Sequence, residues 1–524
     1  MELNTYLGQK GYTIPKNELT IEKQKQIRND LTIKPFVMGS PMNNDQKTFP
    51  AYRESGNKFY VPHYYGVENF GTPKQYKITE GNDIDLEFAG TLRDGQIPVV
   101  ETYINHVNKV GFGGGLLELP CAFGKTCLAL NIISHLKKKA FIIVHKEFLM
   151  NQWIERIQQF LPKARVGKIQ GPIIDIDDKD IVIGMLQSLS MKEYPTSTFE
   201  SFGLTIIDEV HHISSEVFSN SLFKLVTKYM LGLSATMNRK DGTTKVFKMF
   251  LGDVIFKGKR DEEREVIVHA IKYEVADDEF NEVKLDFRGN PAYSTMISKL
   301  CEYNRRTEFI LKIVSDMLSV NPNQQIMILA QYKNILKYLH DAIAHRNIAT
   351  VGYYIGGMKE QALKATEGKK IVIATYAMAA EALDIKTLTT LIMATPKTDI
   401  EQSVGRILRE KHSSPVVVDI VDSHDLFQNQ WRKRKTFYKK ENYKIIYTDS
   451  ANYTSDTSKW LVIFNPKSSA PKECSKKVPK NISVKSNSSS DKSITNDSDE
   501  EIEEEPEKPK DKYLAGVCFL KMKK

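Results

Sequence analysis

Short apolar runs that alternate with helical patterns are the feature that most restricts how this 524-residue chain can fold. In the first half, the candidate strands are residues 140–144, 181–184, 204–207 and 230–233. In the second half, they are residues 325–329, 370–374, 390–394 and 416–420. Strands separated by helices require right-handed crossovers, which give a parallel sheet that binds ligands at its carboxyl edge. We therefore expect an α/β protein in which two tandem parallel-sheet lobes face each other across a cleft.

Changes in composition mark the expected domain boundaries, since a chain of this length holds more than one core. We expect an N-terminal accessory domain at residues 1–85, a first lobe at 86–256, a charged bridge at 257–300, a second lobe at 301–447 and a C-terminal extension at 448–524. Residues 466–512 contain almost no large apolar side chains. Such a segment cannot bury enough surface to offset its ordering entropy, so it is predicted to be disordered.

Charge and cysteine content restrict the class of protein. The net charge of +9 favours a polyanionic partner. The five cysteines include no C-x-x-C pair, which argues against a disulfide framework or a structural zinc site and fits a reducing compartment. No apolar stretch approaches the ~20 residues that span a bilayer, and the N-terminus lacks a secretory signal pattern. We therefore expect a soluble intracellular protein without a membrane partner.

Residues 119–126, L-P-C-A-F-G-K-T, lie between an apolar run and a helical pattern. A Gly-Lys-Thr turn at such a place forms a phosphate cradle, in which backbone N–H groups at a helix N-terminus face the phosphates. Lys125 then neutralises the phosphates, and the hydroxyl of Thr126 binds Mg²⁺. Isolated Gly-Lys-Thr triplets are common, so this motif predicts a nucleotide site only together with further motifs of such a site. The expected nucleotide-binding loop also includes Ala122, Phe123 and Gly124.

Asp208 and Glu209 directly follow the candidate strand 204–207. One carboxylate suits the Mg²⁺ of a bound nucleotide, and the other can polarise an attacking water. Alone, an acid pair after a strand is more often a helix cap, but this pair stands between Gly-Lys-Thr and a Ser-Ala-Thr triplet at 234–236. We therefore predict a Mg²⁺ site at Thr126 and Asp208. His211 and His212 have no further ligands at zinc-binding spacing, which argues against a second metal.

With these motifs in order, the chain resembles superfamily 2 helicases and translocases over about residues 90–445. Residues 92–96, L-R-D-G-Q, resemble the family's segment upstream of the phosphate loop, which implies that Gln96 reads adenine. Residues 231–242 are similar to the branch that contains XPB-type transcription-repair helicases and helicases of phages and large DNA viruses. Leu119 and Ala122 depart from the glycines of the family's phosphate loop. The resemblance implies two RecA-like lobes that bind ATP and Mg²⁺.

The second half adds two further motifs of this family. Residues 373–384 resemble motif V, with Ala382 in place of a glycine, and imply that Asp384 contacts the nucleotide. Residues 402–409, Q-S-V-G-R-I-L-R, resemble motif VI and imply that Arg406 and Arg409 stabilise charge on the transferred phosphoryl group. The resemblance also implies nucleic-acid contacts and residues that couple the nucleotide to the second lobe. The nucleic-acid contacts are Gln187, Ser188 and Thr375, and the coupling residues are His211, Ser234, Thr236 and Gln402.

These patterns predict an ATP-dependent helicase or translocase that acts on nucleic acid, with DNA preferred over RNA because of the branch resemblance. An RNA helicase is one alternative, and a nucleic-acid-binding scaffold that does not hydrolyse ATP is another. The branch implies a role in transcription, such as viral transcript release, or in repair or replication, with contacts to that machinery through the N-terminal domain or the tail. A viral origin would place the protein in a virion or viral factory. The basic, aromatic stretch 431–440 either grips nucleic acid or docks its aromatic side chains on the lobe.

Overall fold

The structure is a computed structural model that describes residues 3–35, 48–120, 123–212, 215–237, 239, 241–258, 265–381, 385–408 and 415–468. Three predicted site residues, Ala122, Asp384 and Arg409, lie outside the described residues, as does nearly all of the stretch 466–512. Among the described helices, none is long and apolar enough to cross a membrane.

The N-terminal part folds around a small sheet with the strand order β5-β6-β2-β1-β7. Its core contains Leu7, Tyr12 and Phe59, which are almost completely buried. The hydroxyl of Tyr64 donates to the carbonyl oxygen of Gly114 at 2.9 Å and so ties this part to the next sheet. The elements are β1 Tyr6–Gly8, β2 Gly11–Pro15, α1 Ile21–Asp30, β3 Thr32–Ile33, β4 Phe49–Pro50, β5 Arg53–Glu54, β6 Lys58–Val61, α2 His63–Phe70 and β7 Gln75–Tyr76.

The first lobe is an eight-stranded sheet with helices on both faces. Its strand order is β11-β10-β12-β9-β13-β14-β8-β15, and all neighbours are parallel except β10 and β11. The four predicted strands are confirmed as β9, β12, β13 and β14. The elements are α3 Ile97–Val110, β8 Gly113–Glu118, α4 Lys125–Leu136, β9 Ala140–Val144, α5 Glu147–Phe160, β10 Val166–Gln170, β11 Ile173–Ile174, β12 Ile181–Met185, α6 Leu186–Met191, β13 Leu204–Ile207, α7 Ser215–Leu222, β14 Tyr229–Ser234, α8 Thr244–Leu251 and β15 Val254–Lys257.

The second lobe repeats this plan with the strand order β18-β19-β17-β20-β21-β16-β22-β23. All neighbours are parallel except β22 and β23. The predicted strands of the second half are confirmed as β17, β19, β20 and β21. The elements are β16 Ile267–Tyr273, α9 Asp278–Asn281, α10 Tyr293–Glu302, α11 Asn304–Val320, β17 Gln325–Ala330, α12 Lys333–His345, β18 Val351–Tyr354, α13 Glu360–Glu367, β19 Ile371–Thr375, α14 Tyr376–Glu381, β20 Leu388–Met393, α15 Glu401–Gly405, β21 Val416–Asp422, α16 Asp425–Lys440, β22 Lys444–Asp449 and β23 Leu461–Phe464.

Two segments expected outside the second lobe contribute strands to its sheet. Within the expected bridge 257–300, residues 267–273 form β16, which pairs in parallel with both β21 and β22. Within the expected extension 448–524, β23 pairs antiparallel with β22 and closes that edge. The sequence of β16, I-V-H-A-I-K-Y, mixes polar and apolar residues and lies next to charged segments, which is why it does not read as a central strand.

Helix α16 decides between the two interpretations of residues 431–440. Trp431, Arg434 and Tyr438 are buried, while Arg432 and Lys433 are exposed. The buried residues recur at helical spacing, so one face of α16 packs on the sheet and the other faces solvent. The large aromatic side chains at 431 and 438 therefore dock on the lobe and are not available to stack on bases.

Candidate active site

The phosphate loop is shaped by Gly124, which caps the N-terminus of α4 with a φ of 91°. This left-handed conformation favours glycine. A Cβ at this position would also lie 2.5 Å from the amide nitrogen of Gln96. Lys125 and Thr126 lie in the first turn of the twelve-residue helix α4, so their side chains stand beside the N–H groups at its N-terminus. The described part of the loop, residues 123–126, therefore fits an anion cradle for the phosphates of a nucleotide.

Gln96 and Arg93 brace the phosphate loop from the segment upstream. The amide nitrogen of Gln96 donates to the carbonyl oxygen of Phe123 at 2.7 Å, and its amide oxygen accepts from the backbone N–H of Arg93 at 2.9 Å. The Arg93 guanidinium also donates to the Phe123 carbonyl, at 2.5 Å. Gln96 is only 4% exposed, and its side-chain amide donates to the phosphate loop. Arg93 was not predicted as a site residue, although it lies in the segment L-R-D-G-Q.

The Asp208 carboxylate lies just past the carboxyl end of β13 and is almost completely buried. Oδ2 accepts from Nε1 of Trp153 at 2.9 Å, and Oδ1 accepts from the backbone N–H of Glu209 at 3.0 Å. Burial, followed by the neighbouring charge of Glu209, raises the pKa of Asp208. A buried carboxylate of this kind gains from a nearby cation, so its environment fits a Mg²⁺ ligand.

Glu209 has a φ of 48°, in the left-handed region that a glutamate rarely adopts. Backbone strain of this kind costs about 1–3 kcal/mol and clusters at functional sites. Oε1 of Glu209 contacts Nζ of Lys125, and Oε2 lies 3.4 Å from Nδ1 of His211. The strained residue therefore joins the phosphate loop to the residues that follow the acid pair.

His211 connects the two lobes through a chain of hydrogen bonds. The Ser234 hydroxyl donates to the carbonyl oxygen of Thr236 at 2.5 Å, so Nδ1 of His211 donates to Ser234 Oγ, also at 2.5 Å. Nε2 is then the acceptor for the side-chain amide of Gln402, which donates from the second lobe at 2.8 Å. This pattern requires the neutral Nδ1–H form of the imidazole. Because both ring nitrogens are hydrogen-bonded, His211 is not arranged as a metal ligand.

Arg239 is a further residue at this site that the sequence interpretation did not single out. Its guanidinium donates to the carbonyl oxygen of His211 at 2.5 Å and pairs with Asp241 at 2.5 Å. Asp241 in turn accepts from the backbone N–H and the hydroxyl of Thr243. Burial raises the pKa of Asp241, but the hydrogen bonds from Arg239 and then Thr243 outweigh it and hold that pKa at about 2. These residues fix the backbone that carries His211, and the first two lie in the stretch 231–242.

Other predicted residues lie at the carboxyl edges of the two sheets. Gln187 is exposed at the start of α6, and Oγ of its neighbour Ser188 accepts from the backbone N–H of Gly171 at 2.9 Å. Thr375 ends β19 and is half-buried. Arg406 begins a 3-10 turn, and its Nε donates to the carbonyl oxygen of Ala379 at 2.6 Å, within its own lobe. The described contacts of Arg406 thus hold it against the second lobe.

A second set of contacts joins the lobes through α5 and α13. The side-chain amide of Asn151 donates to Glu360 at 3.0 Å, and Nζ of Lys364 donates to Glu155 at 2.7 Å. Lys364 and Glu155 are both exposed, so screening by solvent keeps their ion pair weak. These contacts, together with that of Gln402, join the lobes on two sides.

Two family models match the chain. The model described as "Type III restriction enzyme, res subunit" matches residues 89–239. The model described as "Helicase conserved C-terminal domain" matches residues 308–411. The first range contains the phosphate loop and the acid pair, and the second contains the residues from Thr375 to Gln402 and Arg406.

Several curated proteins of viruses and phages are similar to this chain. It is 36% identical over 462 residues to the putative ATP-dependent RNA helicase L396 of Acanthamoeba polyphaga mimivirus, covering 84% of this chain and 86% of that protein. It is 27% identical over 389 residues to the putative ATP-dependent RNA helicase QP509L of African swine fever virus, covering 68% and 74%. It is 26% identical over 334 residues to the probable helicase D10 of Escherichia phage T5, covering 62% and 71%.

Proposed function

The chain belongs to the superfamily 2 helicases of the large-DNA-virus type and is a nucleic-acid-dependent ATPase, and on this premise we propose that it translocates on DNA and unwinds it. The contact between Nζ of Lys125 and Oε1 of Glu209 is the observation that carries the proposed chemistry, because the lysine belongs to the proposed phosphate cradle and the glutamate to the acid pair. The stretch 231–242, similar to that of XPB-type helicases, supports DNA as the substrate.

In the proposed mechanism, the first lobe holds the nucleotide. The N–H groups at the start of α4 and the Lys125 ammonium bind the phosphates, and Thr126 and Asp208 would hold Mg²⁺, which neutralises charge on the phosphate oxygens. Glu209 orients the attacking water and accepts its proton. Arg406 and Arg409 stabilise the charge that develops on the phosphoryl group, an effect worth about 10³–10⁵ in rate for such arginines.

In this proposal, His211 couples the nucleotide site of the first lobe to the second lobe. The Gln402 amide contacts the ring directly, and the same ring contacts Ser234 and lies close to Glu209. A change at Glu209 on hydrolysis therefore alters the contact between the lobes. Nucleic acid held by Gln187 and Ser188 on one lobe and Thr375 on the other is moved as the lobes separate and close.

Phosphate release in the presence of single-stranded DNA, duplex DNA or RNA tests this proposal. We expect DNA to stimulate hydrolysis and Glu209→Gln to lower the rate by about 10²–10⁴-fold, the usual contribution of a general base. Glu101→Gln is the matched control, because Glu101 is an exposed carboxylate on α3 of the same lobe. Equal background rates for wild type and Glu209→Gln would instead support a nucleic-acid-binding scaffold that does not hydrolyse ATP.

The second candidate is an ATP-dependent RNA helicase. The names of the relatives from mimivirus and African swine fever virus, both putative ATP-dependent RNA helicases, favour it. A motor that grips phosphates without reading bases gains no sugar specificity from those contacts. Stimulation by RNA that equals or exceeds stimulation by DNA would replace the DNA proposal with this one.

A further inference from the structure

The indole of Trp153 makes a direct hydrogen bond to the carboxylate of Asp208. Trp153 lies on α5 and is 1% exposed, within the apolar core of the first lobe. Its Nε1–H donates to Oδ2 of Asp208 at 2.9 Å. A buried indole N–H needs a hydrogen-bond partner, and here that partner is the carboxylate proposed to hold Mg²⁺.

This bond completes the fixation of the Asp208 carboxylate. Oδ1 accepts from the backbone N–H of Glu209, and Oδ2 accepts from the buried indole N–H of Trp153. Each carboxylate oxygen is therefore held by one hydrogen bond. Turning the carboxylate away would leave the Trp153 N–H without its acceptor in the core, which is unfavourable for a buried donor. The orientation of Asp208 is therefore set before any ligand arrives.

Helix α5 is itself held on two faces. Trp153 and Ile157 are buried in the first lobe, while Asn151 and Glu155 bond to Glu360 and Lys364 of the second lobe. The indole thus sits on a helix anchored to both lobes. Groups that orient a metal ligand through a hydrogen bond change metal affinity by about 10–100-fold when they are replaced.

We propose that Trp153 is a positioning residue that fixes the Asp208 carboxylate for Mg²⁺. This inference rests on the proposed nucleotide site. It assigns the indole N–H a role beyond core packing, because a phenylalanine can pack in the core but cannot donate this hydrogen bond.

Binding of a fluorescent ADP analogue at increasing Mg²⁺ concentration tests the inference without relying on turnover. Trp153→Phe keeps an aromatic ring and removes the N–H, so we expect half-maximal enhancement of binding to require about 10–100-fold more Mg²⁺. Binding in EDTA should match that of wild type. Trp460→Phe is the matched control, because Trp460 is also buried and donates its N–H to the carbonyl oxygen of Thr454 at 3.0 Å in the other lobe.

Identical Mg²⁺ titrations for Trp153→Phe, Trp460→Phe and wild type would overturn the inference and leave the proposed function intact. Absence of any Mg²⁺ effect in wild type would instead refute the proposed nucleotide site. If the Trp153→Phe variant does not fold, a second measurement on a chain that retains Trp153 tests the inference. In a chain with Trp431→Phe and Trp460→Phe, the single ¹⁵N-indole resonance of Trp153 should shift when Mg²⁺ is added to the ADP complex, and an unchanged resonance would overturn the inference.

Discussion

Replacing Arg434 by methionine should destabilise the second lobe severely. Nε and Nη2 of Arg434 donate to the two carboxylate oxygens of Asp419 at 2.8 Å each, and Nη1 donates to the carbonyl oxygen of Lys397 at 3.1 Å. Tyr438 adds a bond to the same carboxylate at 3.0 Å. Both charged groups are almost completely buried. Among the side-chain bonds described for the Asp419 carboxylate, Arg434→Met would therefore leave only that of Tyr438.

Breaking a buried pair by removing one partner costs about 3–5 kcal/mol, whereas replacing both partners by apolar groups is often neutral. We expect Arg434→Met to lower the free energy of unfolding by about 3–5 kcal/mol. The double variant Arg434→Met with Asp419→Leu should recover most of that loss. Arg432→Met changes an exposed arginine on the same helix and should stay within about 0.5 kcal/mol of wild type.

Urea unfolding followed by tryptophan fluorescence measures these differences, because Trp431 and Trp460 both lie in the second lobe. The reasoning would be refuted if Arg434→Met unfolded at the same urea concentration as Arg432→Met. It would also be refuted if the double variant were less stable than Arg434→Met alone. Either result would mean that the ion pair does not compensate the buried carboxylate of Asp419.

Three further outcomes follow from the site and the core. Burial lowers the pKa of His63 and of His269 to about 4, so both side chains bind protons more tightly in the unfolded chain. The stability present above pH 6.5 should therefore fall by roughly 3 kcal/mol per histidine as the pH drops to 4. Unfolding midpoints measured across that pH range test this. Gln402→Ala removes the bond to His211 and should reduce stimulation of ATP hydrolysis by nucleic acid by about tenfold, with unstimulated ATP binding unchanged in a titration. Arg93→Ala removes a charged donor from the phosphate loop and should weaken ATP binding about 10–100-fold by calorimetry.

The local parts of the fold and site could be predicted from the sequence. Strands such as β13 are short apolar runs that end in polar residues, so their length and boundaries can be recognised in the amino-acid sequence. Because parallel strands share a carboxyl edge, the order of motifs predicts that Lys125 and Glu209 lie close together, as the structure shows.

The parts that depend on packing between distant segments could not be predicted. Trp153 is an ordinary apolar residue of an amphipathic helix in the sequence, and only the fold shows that its N–H meets Asp208. Likewise, β16 lies far along the chain from the strands beside it, and its polar residues hide its central position. The bracing of the phosphate loop by Arg93 depends on a side-chain conformation that no pattern encodes.

The position of β16 has a consequence for how the chain is made. This strand leaves the ribosome before either of its neighbours, β21 and β22, exists. At about 5–20 residues per second, synthesis of the chain from β16 to β22 takes roughly 10–35 s. Until β21 emerges, β16 lacks both of its neighbours in the sheet, and its apolar side chains can contact wrong partners. A nascent chain that ends before Lys444 lacks β22 and leaves β16 paired on one side at most, so premature termination should expose apolar side chains of the second lobe and favour aggregation.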